Sequence, residues 1–195
     1  MDQRRRLLLA STSRYRKELL ERLGLAFETA APGVDETAPA GEAPADTALR
    51  LAIAKAKALK DTYQDCLIIG SDQVASSGGV RYGKPGDHAT AVKQLRSLSG
   101  KAAEFHTGVA LFDATSGAVD SRVVLCRVMF RPLSDAVIEA YLRREQPYDT
   151  AASAKAESLG IALIARMETD DPTSLIGLPL IALTEMLERA GVRVP

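Results

Sequence analysis

Residues 7–20, with the sequence LLLASTSRYRKELL, constrain the fold of this chain more than any other stretch. Leu7 to Ala10 form a short, continuous apolar run, which is typical of a strand that is covered on both faces. Ser11, Thr12 and Ser13 follow, and any of the three can cap the N-terminus of a helix. The pattern therefore predicts a buried strand, a polar turn and a helix.

The helix predicted after this turn carries Leu19 and Leu20 on its apolar side and ends at Gly24. Tyr15 and Arg16 precede the leucines by one turn, so we expect them on the core side. Hydroxyls, free backbone N–H groups and an arginine at a helix N-terminus suit an anion, and phosphate is the first to consider. An ordinary capped helix with surface basic residues fits the same pattern.

Composition narrows the class of protein. The chain has 195 residues with 46% apolar content, so we expect residues 1–195 to form a single domain. Its 25 basic and 25 acidic residues balance, which argues against non-specific binding to nucleic acid or to a membrane surface. No apolar run is long enough to predict a membrane span, and the basic start lacks the apolar stretch of a signal peptide.

The two cysteines and two histidines carry no metal-binding pattern. Cys66 and Cys126 lie in apolar, strand-like stretches, which predicts buried free thiols in a reduced compartment and a cytoplasmic protein. His88 and His106 are far apart, which argues against a histidine metal site or a catalytic triad.

Four acidic or amide residues are candidates for a functional role. Asp35 and Glu36 form a compact carboxylate pair in a loop rich in Pro and Gly, although solvated loop acids look the same. Asp72 and Gln73 follow a second buried strand, Cys66 to Ser71, and α/β enzymes tend to place their chemistry at such strand ends. We favour a functional interpretation for Asp72, because the extended pattern continues and leaves no helix for it to cap.

Three lysines are candidate phosphate ligands. Lys55 borders the apolar stripe of a helix predicted over residues 45–60, where an ordinary surface lysine fits equally well. Lys84 is held between Gly83 and Pro85, and Lys155 lies with Glu157 in the small, polar segment 148–160, which also reads as a plain connecting loop.

The remaining periodicity predicts an α/β fold. We expect a second strand at 25–30, a hairpin over 76–82 with Gly78-Gly79 at its turn, an antiparallel pair at 105–112 and 119–130, a strand at 159–164 and a loop at 167–174. Helices are predicted at 87–98, at 134–144 with Val137, Ile138, Tyr141 and Leu142 on the apolar face, and after Pro179.

The candidate residues together describe one kind of site. The cations Arg16, Lys55, Lys84 and Lys155 suit a polyphosphate, and the carboxylates Asp35, Glu36 and Asp72 suit a divalent metal. Mg²⁺ needs few protein ligands, because waters and phosphate oxygens complete its shell, and an aspartate can accept a proton from a metal-bound water. The chain has no P-loop pattern, which excludes a Walker-type ATPase.

The order of the motifs resembles that of the Maf family of nucleotide pyrophosphatases. Seven matches follow one another over essentially the whole chain: LASTSRYRKELL at 9–20, VDE at 34–36, AKAKA at 54–58, GSDQV at 70–74, GKP at 83–85, the Lys155 loop and GLPL at 177–180. The resemblance implies an elongated mixed β-sheet flanked by helices with a central cleft, similar to the inosine triphosphate pyrophosphatases. It also implies metal-dependent hydrolysis of a nucleoside triphosphate to the monophosphate and diphosphate.

The resemblance assigns roles to residues. Asp72 matches the proton acceptor, with Lys55 and Lys84 beside it in catalysis. Ser11, Arg16 and Lys155 match substrate-binding positions, and Glu36 with Asp72 matches the site of a divalent cation, Mg²⁺ or Mn²⁺.

Two departures from the common family pattern bear on the base. Tyr15 replaces an arginine and Gln73 replaces a threonine, and with Glu157 they resemble the subgroup that prefers 7-methyl-GTP to dTTP and UTP. An aromatic face attracts the cationic 7-methylguanine, and Glu157 adds Coulomb attraction. A pyrophosphatase for dTTP, UTP or other modified nucleotides and a nucleotide-binding regulator of cell division are the alternatives. A homodimer is expected from the family alone.

Overall fold

The computed structural model describes residues 5–194, which form a mixed α/β structure of seven strands and five α-helices. The strands are β1 (Arg6–Ala10), β2 (Glu28–Ala30), β3 (Cys66–Ser77), β4 (Val80–Tyr82), β5 (Ala102–Asp113), β6 (Val119–Phe130) and β7 (Ile164–Thr169). The helices are α1 (Arg14–Glu21), α2 (Pro44–Lys57), α3 (His88–Leu98), α4 (Asp135–Glu145) and α5 (Leu180–Arg189). Short 3₁₀ helices cover Ala151–Ser153, Leu159–Leu163 and Pro172–Ile176.

The strands form one sheet in the order β2-β1-β3-β5-β6-β7, with β4 paired to β3. β1 pairs with β2 and β3 in parallel, whereas β3 with β4 and β6 with β7 are antiparallel. The fold class expected from the sequence, a mixed sheet flanked by helices, is therefore confirmed.

Contacts divide the chain into two compact units. Of residues 5–194, the first unit contains those up to residue 73, residues 107–124 and those from residue 171 onward, and the second contains residues 74–106 and 125–170. The single domain expected over residues 1–195 stays a prediction. Among residues 5–194, no helix combines the length and the apolar content that a bilayer crossing requires.

In the first unit, β1 is buried on both faces, as its sequence predicts. Leu7 and Leu9 pack into a cluster with residues of α1 and α5, and Leu8 and Ala10 pack into a second cluster with residues of α2. Alternate side chains of a strand point to opposite faces, so a continuous apolar run needs helices on both sides.

Helix α2 approaches the sheet at two glycines of the first unit. A Cβ on Gly70 of β3 would lie 2.2 Å from the Ala52 carbonyl oxygen, and one on Gly108 of β5 would lie 2.3 Å from that of Ala48. Any larger residue at these positions would push the helix away from the sheet. The backbone of α2 therefore rests directly on β3 and β5.

In the second unit, α3 packs against α4 and against the 3₁₀ segment 151–153, and α4 packs against the 3₁₀ segment 159–163. The predicted hairpin is confirmed, since Ser77 pairs with Val80 across Gly78-Gly79. Ser134 caps α4, as expected, by accepting from the Val137 N–H.

Three sequence predictions for residues 134–176 are wrong. The strand predicted at 159–164 is a 3₁₀ helix followed by β7, because Gly160 packs against the backbone of Lys155 and the chain curls there. β7 and the 3₁₀ segment 172–176 occupy most of the predicted loop 167–174. Val137 does not belong to the buried face of α4: its side chain is 47% exposed, whereas Ile138, Tyr141 and Leu142 are buried.

Candidate active site

Lys55 of α2 is the centre of the charged cluster in the first unit. Its Nζ lies 2.6 Å from Asp72 Oδ1 and 2.6 Å from Glu36 Oε1. Lys55 is only 5% exposed, so the surface-lysine interpretation is wrong for this residue. A buried ammonium needs carboxylate partners, and the two acids supply them.

The packing of α2 explains why Lys55 meets Asp72. Lys55 lies on the last turns of α2, between Ala52 and Ala56, the two residues that approach Gly70 most closely. Asp72 follows Gly70 by two residues on β3, so it lies on the same face of the strand. The close approach at Gly70 therefore brings the ammonium and the carboxylate together.

Asp72 retains one oxygen for other partners. Its Oδ1 accepts the hydrogen bond from Lys55, whereas Oδ2 has no hydrogen-bond partner within residues 5–194. Asp72 is nearly buried, and this oxygen is available to a water or a cation. An ionised carboxylate fixed by a lysine can take a proton from such a water.

The loop acids behave differently from each other. Asp35 Oδ1 accepts from the backbone N–H of Thr37 at 2.9 Å and is exposed, which is the ordinary behaviour of a loop acid. Glu36 is also exposed but reaches Lys55.

The donor set of the first unit fits a hard divalent cation. Glu36 and Asp72 provide two carboxylates on one ammonium, and Mg²⁺ takes one or two carboxylates with waters and phosphate oxygens. Within residues 5–194, no three His, Cys, Asp or Glu side chains group closely enough to form an all-protein metal cage.

Arg16 lies close to this cluster and is fixed by the segment before α5. Its Nε donates to the Gly177 carbonyl oxygen at 2.9 Å, and the same oxygen accepts from Ser71 Oγ at 2.9 Å. Burial lowers the pKa of Arg16, and the charges of Asp72 and Glu36 oppose that shift. The side chain stays a cation, as a guanidinium does.

The turn after β1 is organised by its hydroxyls. Ser13 caps α1, and the Ser11 Oγ accepts from the Ser13 N–H at 3.1 Å. Ser11 is nearly buried, and Tyr15 is half-buried. The Arg14 guanidinium lies 4.7 Å from the centre of the Tyr15 ring and donates to its hydroxyl, so a cation already covers one face of this ring.

Gln73 is held by the protein itself. Its Nε2 lies within hydrogen-bond distance of Thr107 Oγ1 and of the carbonyl oxygens of Ser174 and Leu175. These acceptors fix the orientation of the amide, so its nitrogen has a structural use and only Oε1 is left to accept from a ligand.

The second unit contains the other predicted residues. Lys155 Nζ donates to Glu145 Oε1 at 2.7 Å, and the pair is mostly buried. Glu145 also accepts from Ser158 Oγ and from the Leu159 N–H, so one carboxylate holds the loop together. Lys84 and Glu157 are exposed.

The structure thus brings Arg16, Lys55, Glu36 and Asp72 together in the first unit. Ser71, Gly177 and Glu145 were not predicted. Ser71 directly precedes Asp72 in the GSDQV motif, and Gly177 begins the GLPL motif, so the sequence motifs contain both residues. Nothing in the sequence distinguishes Glu145, because an acidic residue at the end of a helix is usually a surface residue.

Comparison with known proteins identifies close relatives. The family model described as Maf-like protein matches residues 6–190. The 7-methyl-GTP pyrophosphatase of Thiobacillus denitrificans is 58% identical over 188 residues, which cover 96% of this chain and 94% of that protein. Proteins with the same name from Bordetella avium and Burkholderia pseudomallei are 57% and 54% identical over 98% and 95% of this chain, and over 96% and 88% of their own lengths.

Among solved structures, the Staphylococcus aureus Ham1 protein aligns with a TM-score of 0.47 at 13% identity, over 66% of this chain and 73% of that one. This likeness is too slight to carry an argument.

Proposed function

Because the chain belongs to the Maf family, we propose that it is a nucleoside triphosphate pyrophosphatase that hydrolyses 7-methyl-GTP to 7-methyl-GMP and diphosphate. The buried Lys55–Asp72 pair carries the proposal, because it provides an oriented carboxylate beside a fixed cation. The shared name of relatives at 54–58% identity supports the substrate.

In this mechanism, Asp72 Oδ2 accepts a proton from the attacking water. The water oxygen bonds to one phosphorus of the α–β anhydride, the bond from that phosphorus to the bridging oxygen breaks, and 7-methyl-GMP and diphosphate separate. Lys55 keeps the carboxylate oriented through Oδ1 and adds positive charge close to the reacting phosphate.

In this proposal, the phosphate groups of the substrate are bound by Ser11, Arg16, Lys84 and Lys155. Arg16 suits this role, because its fixed Nε contact with Gly177 leaves the remaining guanidinium donors for phosphate oxygens. A protein that does not have to immobilise its arginine on binding loses less entropy.

Glu36 and Asp72 would hold a divalent cation, Mg²⁺ or Mn²⁺. When bound, such a cation neutralises phosphate charge and makes its bound water easier to deprotonate. The cytoplasmic location and the homodimer expected from the sequence remain predictions.

The base specificity is assigned to Tyr15, Gln73 and Glu157. Gln73 presents its Oε1 as an acceptor, since the nitrogen is already bound within the protein. Tyr15 has one ring face covered by Arg14, so the opposite face is the one proposed to attract the cationic base.

Release of diphosphate from purified protein tests the function. We expect a higher kcat/KM for 7-methyl-GTP than for GTP, dTTP and UTP in the presence of Mg²⁺ or Mn²⁺. Equal values for the methylated and plain GTP would contradict the assigned base. No diphosphate from any of the four would contradict the activity and favour a nucleotide-binding regulator.

Asp72→Asn should lower kcat by about 10²- to 10⁴-fold, because an amide cannot accept the proton. Asp61→Asn, at an exposed aspartate of the same unit, is the matched control and should keep full activity. Near-wild-type rates for Asp72→Asn would show that the base is another residue.

Tyr15→Arg should reduce the ratio of kcat/KM for 7-methyl-GTP to that for GTP, because a second cation repels a cationic base. The two substrates are compared in the same preparation. An unchanged ratio would show that Tyr15 packs against Arg14 and does not select the base.

A further inference from the structure

Gln94 of α3 joins two segments of the second unit that each carry a candidate phosphate-binding lysine. Its Nε2 donates to the Gly83 carbonyl oxygen at 3.0 Å, and its Oε1 accepts from Ser153 Oγ at 2.6 Å. Gly83 directly precedes Lys84, and Ser153 comes two residues before Lys155. One side-chain amide therefore connects the GKP loop to the Lys155 loop.

The segment before Lys155 has a backbone that needs such support. Ala152 and Ser153 have φ angles of 58° and 55°, in the left-handed region that residues other than glycine rarely adopt. Both residues are completely buried. Strained backbone persists only where its surroundings hold it, and the hydrogen bond from Ser153 to Gln94 is one such restraint.

Each lysine segment is also fixed on its own. The backbone N–H of Lys155 donates to the Tyr141 hydroxyl at 3.1 Å, and its carbonyl oxygen accepts from the Gly160 N–H at 3.0 Å. Near Lys84, the Gly86 N–H donates to the Tyr148 carbonyl oxygen at 3.0 Å. Gln94 then links one ordered segment to the other.

We propose that Gln94 is a positioning residue that holds Lys84 and Lys155 in register for the oxygens of one triphosphate. The inference rests on the proposed function and extends it to a residue that makes no contact with substrate. Two cations on separate loops lose less conformational entropy on binding one ligand when their separation is fixed beforehand. An error of about 1 Å in such positioning can lower a rate by about a hundredfold.

Phosphate binding and base selection are assigned to different residues. Loss of the Gln94 amide should weaken binding of any triphosphate and leave the preference between bases unchanged. A purely structural role would change thermal stability and leave the affinity of the folded protein for phosphate unaltered.

Gln94→Met tests this, because methionine matches glutamine in length and helix propensity but provides neither hydrogen bond. Lys93→Met is the matched control on the exposed face of α3. We expect Gln94→Met to raise both KM for 7-methyl-GTP and Kd for inorganic tripolyphosphate by about tenfold. The ratio of kcat/KM for 7-methyl-GTP to that for GTP should stay unchanged, and Lys93→Met should behave as wild type.

Ser153→Ala provides the second test, because it removes only the hydroxyl from this link. It should raise the tripolyphosphate Kd less than Gln94→Met, and the double variant should be no worse than Gln94→Met. If Gln94→Met does not fold, the tripolyphosphate Kd of Ser153→Ala alone tests the proposal. Wild-type Kd values in these variants would overturn the proposal, whereas a wild-type protein that releases no diphosphate would overturn the proposed function instead.

Discussion

Lys55 and its two carboxylate partners are not energetically equivalent. Asp72 is nearly buried, whereas the Glu36 side chain is 61% exposed. Removing one member of a buried ion pair leaves an uncompensated charge, while an exposed pair is screened by water. The buried half of the cluster therefore dominates its stability.

Lys55→Met should lower the free energy of unfolding by about 3–5 kcal/mol, because Asp72 loses its buried partner. Glu36→Gln should lower it by at most about 1 kcal/mol, because that contact is exposed. Urea denaturation of both variants measures the difference. Equal losses would show that burial does not govern this cluster.

Glu145 makes the second unit sensitive to acid. Desolvation raises the pKa of this carboxyl, but hydrogen bonds from Lys155, Ser158 and the Leu159 N–H outweigh it and bring the pKa below the ordinary value of 4.5. The unfolded chain therefore binds the proton more tightly than the folded one. The stabilisation is complete above pH 4.5 and is lost as the pH falls through the folded value.

Glu145→Gln should remove this part of the pH dependence. The free energy of unfolding of the variant should fall less steeply between about pH 5 and pH 3 than that of wild type. Arg143→Gln, at an exposed position of the same helix, is the control. Identical slopes for wild type and Glu145→Gln would contradict the prediction.

At the level of elements, the contact of α2 with the sheet positions the catalytic candidates. At Gly70 the nearest atoms to an added Cβ are backbone atoms of Ala52 and Ala56, which cannot rotate away. The helix must shift as a whole to admit a methyl group. That shift would change the distance between Lys55 and Asp72.

Gly70→Ala should therefore reduce stability by about 1–3 kcal/mol and also reduce kcat. Thermal unfolding and diphosphate release measure the two effects. Gly83→Ala, where an added Cβ meets nothing within 4 Å and φ is ordinary, controls for the stability effect. Wild-type stability for Gly70→Ala would mean that α2 adapts without strain.

At the level of the whole molecule, each unit carries one buried thiol. Cys66 lies in the first unit and Cys126 in the second, and both are nearly inaccessible. Burial raises the pKa of both thiols, that of Cys126 to about 11. Neither thiol forms the reactive thiolate at neutral pH.

Neither cysteine should react with a disulfide reagent at pH 8 until its unit opens. Cys126→Ala leaves Cys66 to report on the first unit, and Cys66→Ala leaves Cys126 to report on the second. Reaction rates measured against urea concentration give the opening free energy of each unit. Rapid reaction of native protein would contradict the burial of that thiol.

The local structure follows from the sequence because neighbouring residues determine it. The apolar run Leu7–Ala10 indicates a strand covered on both faces, and Ser13 and Ser134 cap helices where hydroxyls precede a helical pattern. Gly78-Gly79 determines a hairpin through its φ angles. The order of motifs also indicated the Maf family.

Only the tertiary structure decided which charges are buried and with whom they pair. In the sequence, Lys55 looks like a surface lysine, and only the packing of α2 on Gly70 buries it beside Asp72. The sequence likewise does not indicate that Lys155 pairs with Glu145, which lies ten residues earlier. The apolar run at 159–164 does not distinguish a strand from a 3₁₀ helix, because the close approach of Gly160 to Lys155 determines it. Periodicity and capping depend on neighbours in the chain, whereas burial and ion pairing depend on which backbones come into contact.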